Sequence, residues 1–271
     1  MILLIDVGNS NIKWAFASQE GSILRRYHAP LIPEACDETG KVLRKLVSKV
    51  TLEQITTGLH QISTEDTSIA LSSVRRDVAV QLLHSFPDHH FYEAKTLKEF
   101  NGLTNSYSEP MLMGIDRWLA MVGARQLTQG QSFLVVDSGT ATTLDHVNEK
   151  GLHTGGYIIP GLNTQISSLL QSTDQVKAVF DDNIMSNKLG QSTQECVVNG
   201  VLAQTLSVIE STHRALNASM PTKLLLTGGA GRVLFNQLTK YFSALKSNCE
   251  YIDELVFYGL FIMQQEDLKK N

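Results

Sequence analysis

An acidic turn that follows an apolar strand occurs twice in this chain. The first copy spans Ile2 to Lys13, with Asp6 at the end of the strand and a glycine two residues later. The second copy spans Phe133 to Asp145, with Asp137 and Gly139 in the corresponding places. Glycine lets the backbone turn sharply and leaves room for a phosphate to approach main-chain N–H groups. Two such turns predict two related half-structures that face one nucleotide.

The carboxylate in each turn indicates what this residue would bind in a nucleotide complex. Like charges repel, so a carboxylate is suited to a cation, or to the water shell of a cation that bridges to phosphate oxygens. One Asp-x-Gly-Asn sequence alone is equally compatible with a simple hairpin turn. Neither the Gly-x-x-x-x-Gly-Lys-[Ser/Thr] pattern nor a Gly-x-Gly-x-x-Gly fingerprint after a strand occurs. The two turns therefore predict a nucleotide site of another class.

The composition is that of an ordinary globular protein, and it excludes several functional classes. The 271 residues are 42% hydrophobic and 18% charged, enough for one large domain or two ordinary ones. A net charge of -4 argues against nonspecific nucleic-acid binding, and no apolar run reaches membrane-spanning length. The N-terminus has no basic region of a signal peptide, and the three scattered cysteines lack metal-ligand spacing. We expect a cytoplasmic protein with reduced thiols.

Apolar periodicity predicts the same meander of three strands at the start of each half, over residues 2–27 and 133–159. Further strands are predicted over 68–74 and 223–227, the latter followed by a glycine-rich turn, 227–231, that is suited to a nucleotide's sugar or base. Helices are predicted over 39–50, 78–86, 161–170, 195–216 and 253–264, and from 116 onward.

Asp116 and Arg117 stand at the start of a predicted helix, just after Gly114. An acidic residue in a first helical turn can serve only the helix dipole. Adjacent helical residues do not face each other, so an ion pair between Asp116 and Arg117 is not the expected reason for their presence. Arginine can hold a carboxylate through two parallel hydrogen bonds. The functional alternative is that Asp116 accepts a hydroxyl proton while Arg117 holds the acid group of a substrate.

Five motifs in this order resemble those of the type III pantothenate kinases, over nearly the whole length. The motifs are Asp6-x-Gly-Asn-Ser, Gly114-Ile-Asp-Arg117, Asp137-Ser-Gly-Thr-Ala, Gly155-Gly-x-x-x-Pro-Gly161 and Thr227-Gly-Gly. The resemblance implies an α/β fold of duplicated actin-like (ribonuclease H-like) domains, each a mixed five-stranded sheet with flanking helices. Sugar kinases, acetate kinases and heat-shock ATPases share this fold. The two domains are expected at residues 1–115 and 116–271.

The resemblance also implies an activity, cofactors and partners. The reaction is the ATP-dependent phosphorylation of pantothenate to 4'-phosphopantothenate, the first step of coenzyme A synthesis. Such enzymes work as homodimers and need Mg²⁺ and a monovalent cation, K⁺ or NH₄⁺. Pantothenate and ATP are the expected ligands, with neither nucleic acid nor membrane as a partner.

Residue by residue, the resemblance assigns four kinds of role. Asp116 falls on the general base, Asp137 on the ligand of the monovalent cation, and Asp6 on the carboxylate associated with Mg²⁺ through water. The ATP-binding positions are Asp6, Val7, Gly8, Asn9, Ser10, Asn11, Ile12, Lys13 and Thr140. The pantothenate-binding positions are Tyr107, Gly114, Ile115, Asp116, Arg117 and Thr193. Ser10 stands where Thr is commoner, and Met113 where Leu is usual; both exchanges preserve the chemistry.

Three alternatives stay open at this point. The chain could be a kinase of the same fold that acts on another small acidic alcohol or a sugar. It could be a non-catalytic regulatory or accessory protein that retains the fold. It could also be a phosphatase or hydrolase, which would need a water-activating group where Asp116 stands. The presence of Asp6, Asp116 and Asp137 together, and the lack of a recognisable DNA-reading element, argue against the regulatory alternative.

Overall fold

A computed structural model describes residues 1–36, 42–62, 67–171 and 185–270. The strands are β1 (Ile2–Val7), β2 (Asn11–Ala17), β3 (Ile23–Pro30), β4 (Ile32–Cys36), β5 (Val42–Leu46), β6 (Ser68–Ser73), β7 (Phe91–Glu93), β8 (Glu99–Phe100), β9 (Leu103–Thr104), β10 (Ser132–Ser138), β11 (Ala141–Val147), β12 (His153–Pro160), β13 (Thr222–Thr227) and β14 (Cys249–Tyr251). The helices are α1 (Lys49–Ile62), α2 (Arg76–Ser85), α3 (Ile115–Thr128), α4 (Leu162–Gln171), α5 (Thr193–Ser219), α6 (Gly231–Tyr241) and α7 (Leu255–Leu268), with short 3₁₀ helices at Pro110–Leu112 and Ser243–Leu245.

Two five-stranded mixed sheets have the same topology. The first has the order β3-β2-β1-β6-β7 and the second the order β12-β11-β10-β13-β14. In each, the central strand pairs antiparallel with one neighbour and parallel with the other. Helices flank both sheets, so the predicted fold class is confirmed.

The described chain divides into two compact units, each of which contains one of these sheets. The first consists of Met1–Leu97, Glu109–Gly123 and Val256–Asn271, and the second of Lys98–Ser108 and Ala124–Leu255. The predicted domain boundary between residues 115 and 116 stays a prediction.

One core cluster of the first unit lies on one face of its sheet. Alternate side chains of β1, those of Leu3, Ile5 and Val7, are fully buried and pack in one cluster with apolar residues of α1 and α2. Successive side chains of a strand point to opposite faces, so Asp6 projects from the face opposite to this cluster. The parallel pairing of β1 with β6 explains why β1 reads as a nearly continuous apolar run.

The core of the second unit repeats this arrangement. Leu134 and Val136 of β10 pack with Leu224 and Leu226 of β13 and with apolar residues of α5 and α6. Asp137 follows Val136 as Asp6 follows Ile5, so each acidic residue projects from the face opposite to this core cluster. The two predicted meanders, and the strands predicted over 68–74 and 223–227, are confirmed.

One predicted helix is wrong. The apolar spacing over residues 39–50 suggests a helix, but β5 occupies 42–46 and pairs antiparallel with β4, and α1 begins at Lys49. Positions 39–41 lie outside the described residues. A short apolar run fits either a strand or a helix, and here the pairing with β4 decides between them. The other predicted helices are confirmed with ends shifted by a few residues.

Among the described residues, no helix combines the length and apolar character needed to cross a membrane.

Helix α7 approaches α3 within the first unit at backbone distance. A Cβ atom placed on Gly259 of α7 would lie 2.0 Å from the carbonyl oxygen of Leu119 and 2.7 Å from its carbonyl carbon. Backbone atoms of a packed helix cannot move aside cheaply, so only glycine fits at this position. Since α3 begins beside Asp116, this contact also fixes the helix that carries the predicted base.

The substitution Gly259→Ala should therefore destabilise the protein, although alanine favours helix formation. We expect the free energy of unfolding to fall by about 1–3 kcal/mol, the usual cost of overpacking a close contact. Denaturant unfolding followed by circular dichroism measures this change. Gly200→Ala is the matched control, because Gly200 is an exposed helical glycine of α5 with no neighbouring atom within 4 Å of an added Cβ. The control should be neutral or stabilising by up to about 1 kcal/mol. Equal effects of the two variants would contradict the packing argument.

Candidate active site

Asp6 lies at the end of β1 between two polar neighbours. In the sheet register it stands opposite Lys13 of β2 and Ser72 of β6. The Ser72 hydroxyl donates a hydrogen bond to Asp6 Oδ1 at 3.0 Å, and Ser72 itself is fully buried. A buried donor on a strand has little freedom, so this bond fixes the orientation of the carboxylate.

The electrostatics of Asp6 link it to Asp116. The pKa of Asp6 is raised to about 6, chiefly by burial and also by the negative charge of Asp116, against the lowering effects of Lys13 and the Ser72 hydrogen bond. Both carboxylates belong to the first unit. The structure therefore brings the predicted ATP-site carboxylate and the predicted base into one electrostatic environment.

Main-chain hydrogen bonds shape the turn after Asp6. The Gly8 N–H donates to the Asn11 carbonyl at 2.9 Å, and the Leu31 N–H donates to the Ser10 carbonyl at the same distance. The side chains of Val7 and Ile12 are fully buried in the core of the unit. Of the predicted ATP-binding positions, these two can therefore offer a ligand only their main chain.

Lys45 reaches the same turn from β5, although no sequence motif marks it as a site residue. Its ammonium group donates to the carbonyl of Asn9 at 2.6 Å, while its main-chain N–H donates to Asp77 Oδ2 at 3.1 Å. Asp77 is in turn held by Arg75, whose Nη2 lies 2.6 Å from Asp77 Oδ2. A second ammonium group therefore lies at the turn in addition to that of Lys13.

The Gly114–Arg117 segment forms the start of α3. The Gly114 carbonyl accepts the Trp118 N–H at 3.1 Å, and Asp116 Oδ1 accepts the Arg117 N–H at 2.8 Å. A Cβ on residue 114 would lie 2.6 Å from Asp116 Oδ1, so glycine leaves the space that the carboxylate occupies. Arg117 is 6% exposed, which is rare for an arginine and typical of one with a fixed role.

A cavity of about 620 Å³ adjoins this segment within the first unit. Its lining includes Met113, Gly114 and Ile115 together with the basic residues Arg76 and Lys95. The volume lies in the range of small-molecule sites. The lining is mixed, with apolar side chains beside two basic residues and the acidic Glu93, and the basic groups can attract a small organic acid.

The second acidic turn has the same construction as the first. Asp137 stands opposite Thr143 of β11 and Thr227 of β13. The Gly161 N–H donates to the Thr140 carbonyl at 3.0 Å, as Leu31 does to Ser10 in the first copy. A Cβ on Gly161 would lie 2.1 Å from the Gly139 carbonyl oxygen. This close approach explains why a glycine directly follows β12, the third strand of the meander.

The Asp137 carboxylate packs against the glycine-rich turn after β13. A Cβ on Gly228 would lie 2.2 Å from Asp137 Oδ1 and 2.6 Å from the Ser138 carbonyl oxygen, and Gly228 has a φ of +85°. Both the close approach and the left-handed backbone require glycine. Carboxylate and carbonyl oxygens therefore meet at this turn.

The other two predicted substrate residues lie in the second unit as well. Tyr107 is half-buried, and its N–H donates to Asn105 Oδ1 at 2.9 Å. Thr193 is exposed at the first position of α5, next to Ser192, whose side chain caps the helix by accepting the Glu195 N–H. The structure thus gathers residues 6–13 and the Gly114–Arg117 segment in the first unit. The second unit holds the remaining predicted site residues, which are Tyr107, Asp137, Thr140 and Thr193.

Ser72 is a site residue that sequence reasoning missed, although a signal existed. It stands opposite Asp6 on the parallel strand β6, as Thr227 stands opposite Asp137 on β13 in the second copy. A small hydroxyl residue in this position of both parallel strands belongs to the duplication. Lys45 had no such signal, because its contact depends on the unpredicted β4–β5 hairpin.

Within the described ranges, no group of three or more His, Cys, Asp or Glu side chains is placed to hold a metal ion. A divalent cation at Asp6 would therefore draw its further ligands from water and phosphate oxygens. That is the usual mode of Mg²⁺ beside a nucleotide.

A duplicated five-stranded mixed sheet with an acidic turn in each copy places the protein in the class of proteins with the actin-like fold. A putative 2-dehydro-3-deoxygalactonokinase from Sinorhizobium meliloti has this fold, with a TM-score of 0.57, 13% identity, and 98% of this chain and 96% of that one covered. A protein from Campylobacter jejuni described as a putative Baf family transcriptional activator superposes with a TM-score of 0.57 at 20% identity, over 98% of this chain and 99% of that one. At these identities the likeness concerns the fold.

The particular family follows from the sequence comparison. The sequence model of the type III pantothenate kinase family matches residues 2–215. A type III pantothenate kinase from Marinobacter nauticus is 34% identical over 265 residues, which cover 96% of each chain. This chain belongs to the type III pantothenate kinase family, whose members phosphorylate pantothenate in coenzyme A biosynthesis with ATP as co-substrate and a divalent metal ion. The regulatory alternative is not favoured.

The raised pKa of Asp6 predicts that this residue lowers stability at neutral pH. In the folded protein Asp6 keeps its proton up to about pH 6, whereas the unfolded chain releases it near the ordinary value of 3.8. The folded state thus binds more protons between these values, so the stability contributed by Asp6 is lost as pH rises from about 4 to about 6. Asp6→Asn should stabilise the protein above pH 6 by about 1–3 kcal/mol, a gain that fades below pH 4. Thermal and denaturant unfolding at several pH values measure this dependence.

Asp77→Asn is a control of opposite sign in the same unit. The hydrogen bond from Arg75 lowers the pKa of Asp77 to about 2. Its stabilising contribution is therefore present above pH 4 and lost as pH falls through 2. This variant should lose about 1–2 kcal/mol at pH 7, with a difference that shrinks on acidification. A stability loss for Asp6→Asn at pH 7 would contradict the burial argument.

Proposed function

We propose that this chain transfers the γ-phosphoryl group of ATP to the primary hydroxyl of pantothenate and releases 4'-phosphopantothenate and ADP. The observation that carries the proposal is the pairing of the Asp6 and Asp116 carboxylates in one unit, with the buried Arg117 next to Asp116. One carboxylate serves the phosphate side of the reaction and the other the alcohol side. Membership of the family supports pantothenate as the alcohol.

Asp116 is the proposed general base. Its position in the first turn of α3, with Oδ1 held by the Arg117 N–H, gives the carboxylate a fixed direction. A fixed carboxylate can orient the attacking hydroxyl and accept its proton as the bond to phosphorus forms. Phosphoryl transfer depends chiefly on such positioning and on neutralisation of the charge on the phosphoryl oxygens.

Arg117 is the proposed partner of the pantothenate carboxylate. A buried guanidinium presents a planar fork of donors, which a carboxylate accepts in bidentate fashion. The adjoining cavity gives room for the rest of the acid, and Gly114 and Ile115 line it. Tyr107 and Thr193 are proposed as further pantothenate contacts on the strength of the family resemblance.

The turn after Asp6 is the proposed phosphate site, with Mg²⁺ associated with Asp6 through water. Burial and the charge of Asp116 both disfavour ionised Asp6, and a cation would offset both effects. When bound, the divalent cation neutralises charge on the phosphate oxygens. The ammonium groups of Lys13 and Lys45 support the same role from the two sides of the turn.

Asp137 is the proposed ligand of a monovalent cation, K⁺ or NH₄⁺, and Thr140 a proposed contact of the ATP phosphates. The meeting of the Asp137 carboxylate with the Ser138 carbonyl at Gly228 supports oxygen ligation at this turn. The enzyme is further proposed to act as a cytoplasmic homodimer. Met111 and Leu112, which are 67% and 71% exposed, offer apolar surface that a second subunit could cover.

The substitution Asp116→Asn tests the proposed function and the base together. Purified protein with ATP, Mg²⁺, K⁺ and pantothenate should give 4'-phosphopantothenate by mass spectrometry. The variant should keep its fold and its KM for ATP, while kcat falls by at least about 10²-fold, because general-base help is worth about 10²–10⁴-fold. Glu109→Gln, an exposed residue that precedes the same segment, should leave kcat unchanged.

Three results would count against the proposal. Wild-type-like turnover of Asp116→Asn would remove Asp116 from the mechanism. Release of ADP without pantothenate would indicate a hydrolase. Phosphorylation of another acidic alcohol in preference to pantothenate would indicate a kinase of different specificity.

The substitution Arg117→Lys tests the carboxylate-binding role separately. Lysine keeps the charge but cannot make the bidentate contact, so KM for pantothenate should rise about 10-fold or more while kcat changes by less than about threefold. Steady-state kinetics with each substrate varied in turn measure the effect. Arg214→Lys makes the same exchange on the surface of α5 and should have no effect. An unchanged KM for pantothenate in the Arg117 variant would contradict the assignment.

A further inference from the structure

Three side chains of the second unit form a continuous hydrogen-bonded chain that none of the assigned roles explains. Ser106 Oγ lies 2.8 Å from His153 Nδ1, and His153 Nε2 lies 3.1 Å from Asp145 Oδ1. His153 is fully buried and Asp145 is 2% exposed, whereas Ser106 is exposed. A buried polar chain of this kind is costly unless every member is satisfied, so it is expected to hold something in place.

The two bonds fix the imidazole in one orientation. A carboxylate only accepts hydrogen bonds, so Nε2 of His153 carries the hydrogen that is donated to Asp145. The other nitrogen, Nδ1, then serves Ser106. With both nitrogens engaged, the ring can neither flip nor rotate without loss of a buried hydrogen bond.

His153 contacts both residues at the centre of the segment 103–108, which we call the Tyr107 segment. It bonds the Ser106 hydroxyl, and its ring centroid lies 6.2 Å from that of Tyr107 at an interplanar angle of 38°. The segment is also attached through its main chain: the Thr104 N–H donates to the Gly151 carbonyl at 2.8 Å, and the Lys98 ammonium donates to the Asn105 carbonyl at 2.8 Å. His153 supplies the side-chain attachment at the position of the proposed substrate contact.

The Asp145 end of this hydrogen-bonded chain is anchored in a rigid strand. Asp145 belongs to β11, which is hydrogen-bonded on both sides, to β10 and to β12. The same strand begins at Ala141, directly after the second acidic turn. The sheet that carries Asp137 therefore sets the position of the Tyr107 segment through Asp145 and His153.

A Ser–His–Asp chain is also the hydrogen-bonding pattern of a nucleophilic serine. Such a serine needs donors for the oxyanion, commonly the main-chain N–H of the residue that follows it. Here that group, the Tyr107 N–H, is donated to Asn105 Oδ1 at 2.9 Å. The bond closes a local turn instead, which favours a positioning role over covalent chemistry.

We propose that His153, oriented by Asp145, is a positioning residue that holds the Tyr107 segment where Tyr107 binds pantothenate. The proposal rests on the proposed function and adds residues to its substrate site. The proposal separates substrate binding from chemistry. The Ser106–His153–Asp145 hydrogen-bonded chain should affect the affinity for pantothenate, and not the proton transfer at Asp116.

The first test is the steady-state kinetics of Ser106→Ala, which removes the exposed end of the chain. KM for pantothenate should rise about 3- to 10-fold, the range expected for one lost hydrogen bond, while kcat and KM for ATP stay within twofold. Ser106→Thr keeps the hydroxyl and should restore the wild-type KM. Ser108→Ala is the matched control, since Ser108 is an exposed serine of the same segment. An unchanged KM for pantothenate in Ser106→Ala, with an active wild type, would overturn the proposal.

The second test uses Asp145→Asn, because a residue that is 2% exposed behind His153 cannot touch the substrate. The same selective rise in KM is expected, whereas a direct Ser106–substrate contact would leave this variant unaffected and overturn the positioning role. Hydrogen exchange of the 103–108 amides provides a readout that needs no substrate: it should accelerate in Ser106→Ala and Asp145→Asn and not in Ser108→Ala.

The two hypotheses fail in distinguishable ways. If wild-type protein does not phosphorylate pantothenate, the proposed function fails. Hydrogen exchange still decides whether the Ser106–His153–Asp145 hydrogen bonds hold the Tyr107 segment. Unchanged exchange in Ser106→Ala would overturn the positioning role whatever the substrate. Labelling of Ser106 by a fluorophosphonate probe would also overturn it, because the serine would then be a nucleophile.

Discussion

The cost of keeping the Asp6 carboxylate in a buried place is the constraint on which the candidate site of the first unit depends. Burial of the Asp6 carboxylate, together with the negative charge of the Asp116 carboxylate, raises the pKa of Asp6 to about 6. The surrounding structure holds them there through the Ser72 hydroxyl, the start of α3 and the close packing of α3 on Gly259. A site of this kind is stable only because the core of the unit supports it.

The duplication gives two turns of one construction and two different chemical environments. Both acidic residues end a central strand, and both turns accept a main-chain bond from the residue that follows the third strand. Asp6, however, stands opposite a lysine, whereas Asp137 stands opposite a threonine and packs on Gly228. One turn therefore has cationic side chains around it, and the other has mainly oxygen atoms. This difference is consistent with a division of labour between a phosphate site and a site for a monovalent cation.

The sequence predicted the parts of the fold that local pattern determines. The two meanders and the start of α3 follow from apolar strands, glycines and an acidic residue in a first helical turn, all within a few residues of one another. The helix predicted over 39–50 is wrong where β5 lies, because a short apolar run fits both a strand and a helix. Lys45 and the Ser106–His153–Asp145 chain could not be predicted, since their contacts join residues far apart in sequence. For instance, Ser106 and His153 are separated by 47 positions. The five ordered motifs indicated the family more specifically than composition or apolar periodicity did.

The close contact of α7 with α3 has a consequence for the order of folding. The first unit is built from three separate stretches of chain, and the last of them begins only at Val256. During synthesis the second unit has all of its residues before the first has received α7, and domains fold as their residues emerge. The surface of α3 around Leu119, including its carbonyl group, must therefore stay uncovered on the ribosome until the C-terminal stretch arrives. Helix α3, which carries the proposed catalytic residue in its first turn, is then among the last parts of the molecule to reach its final packing.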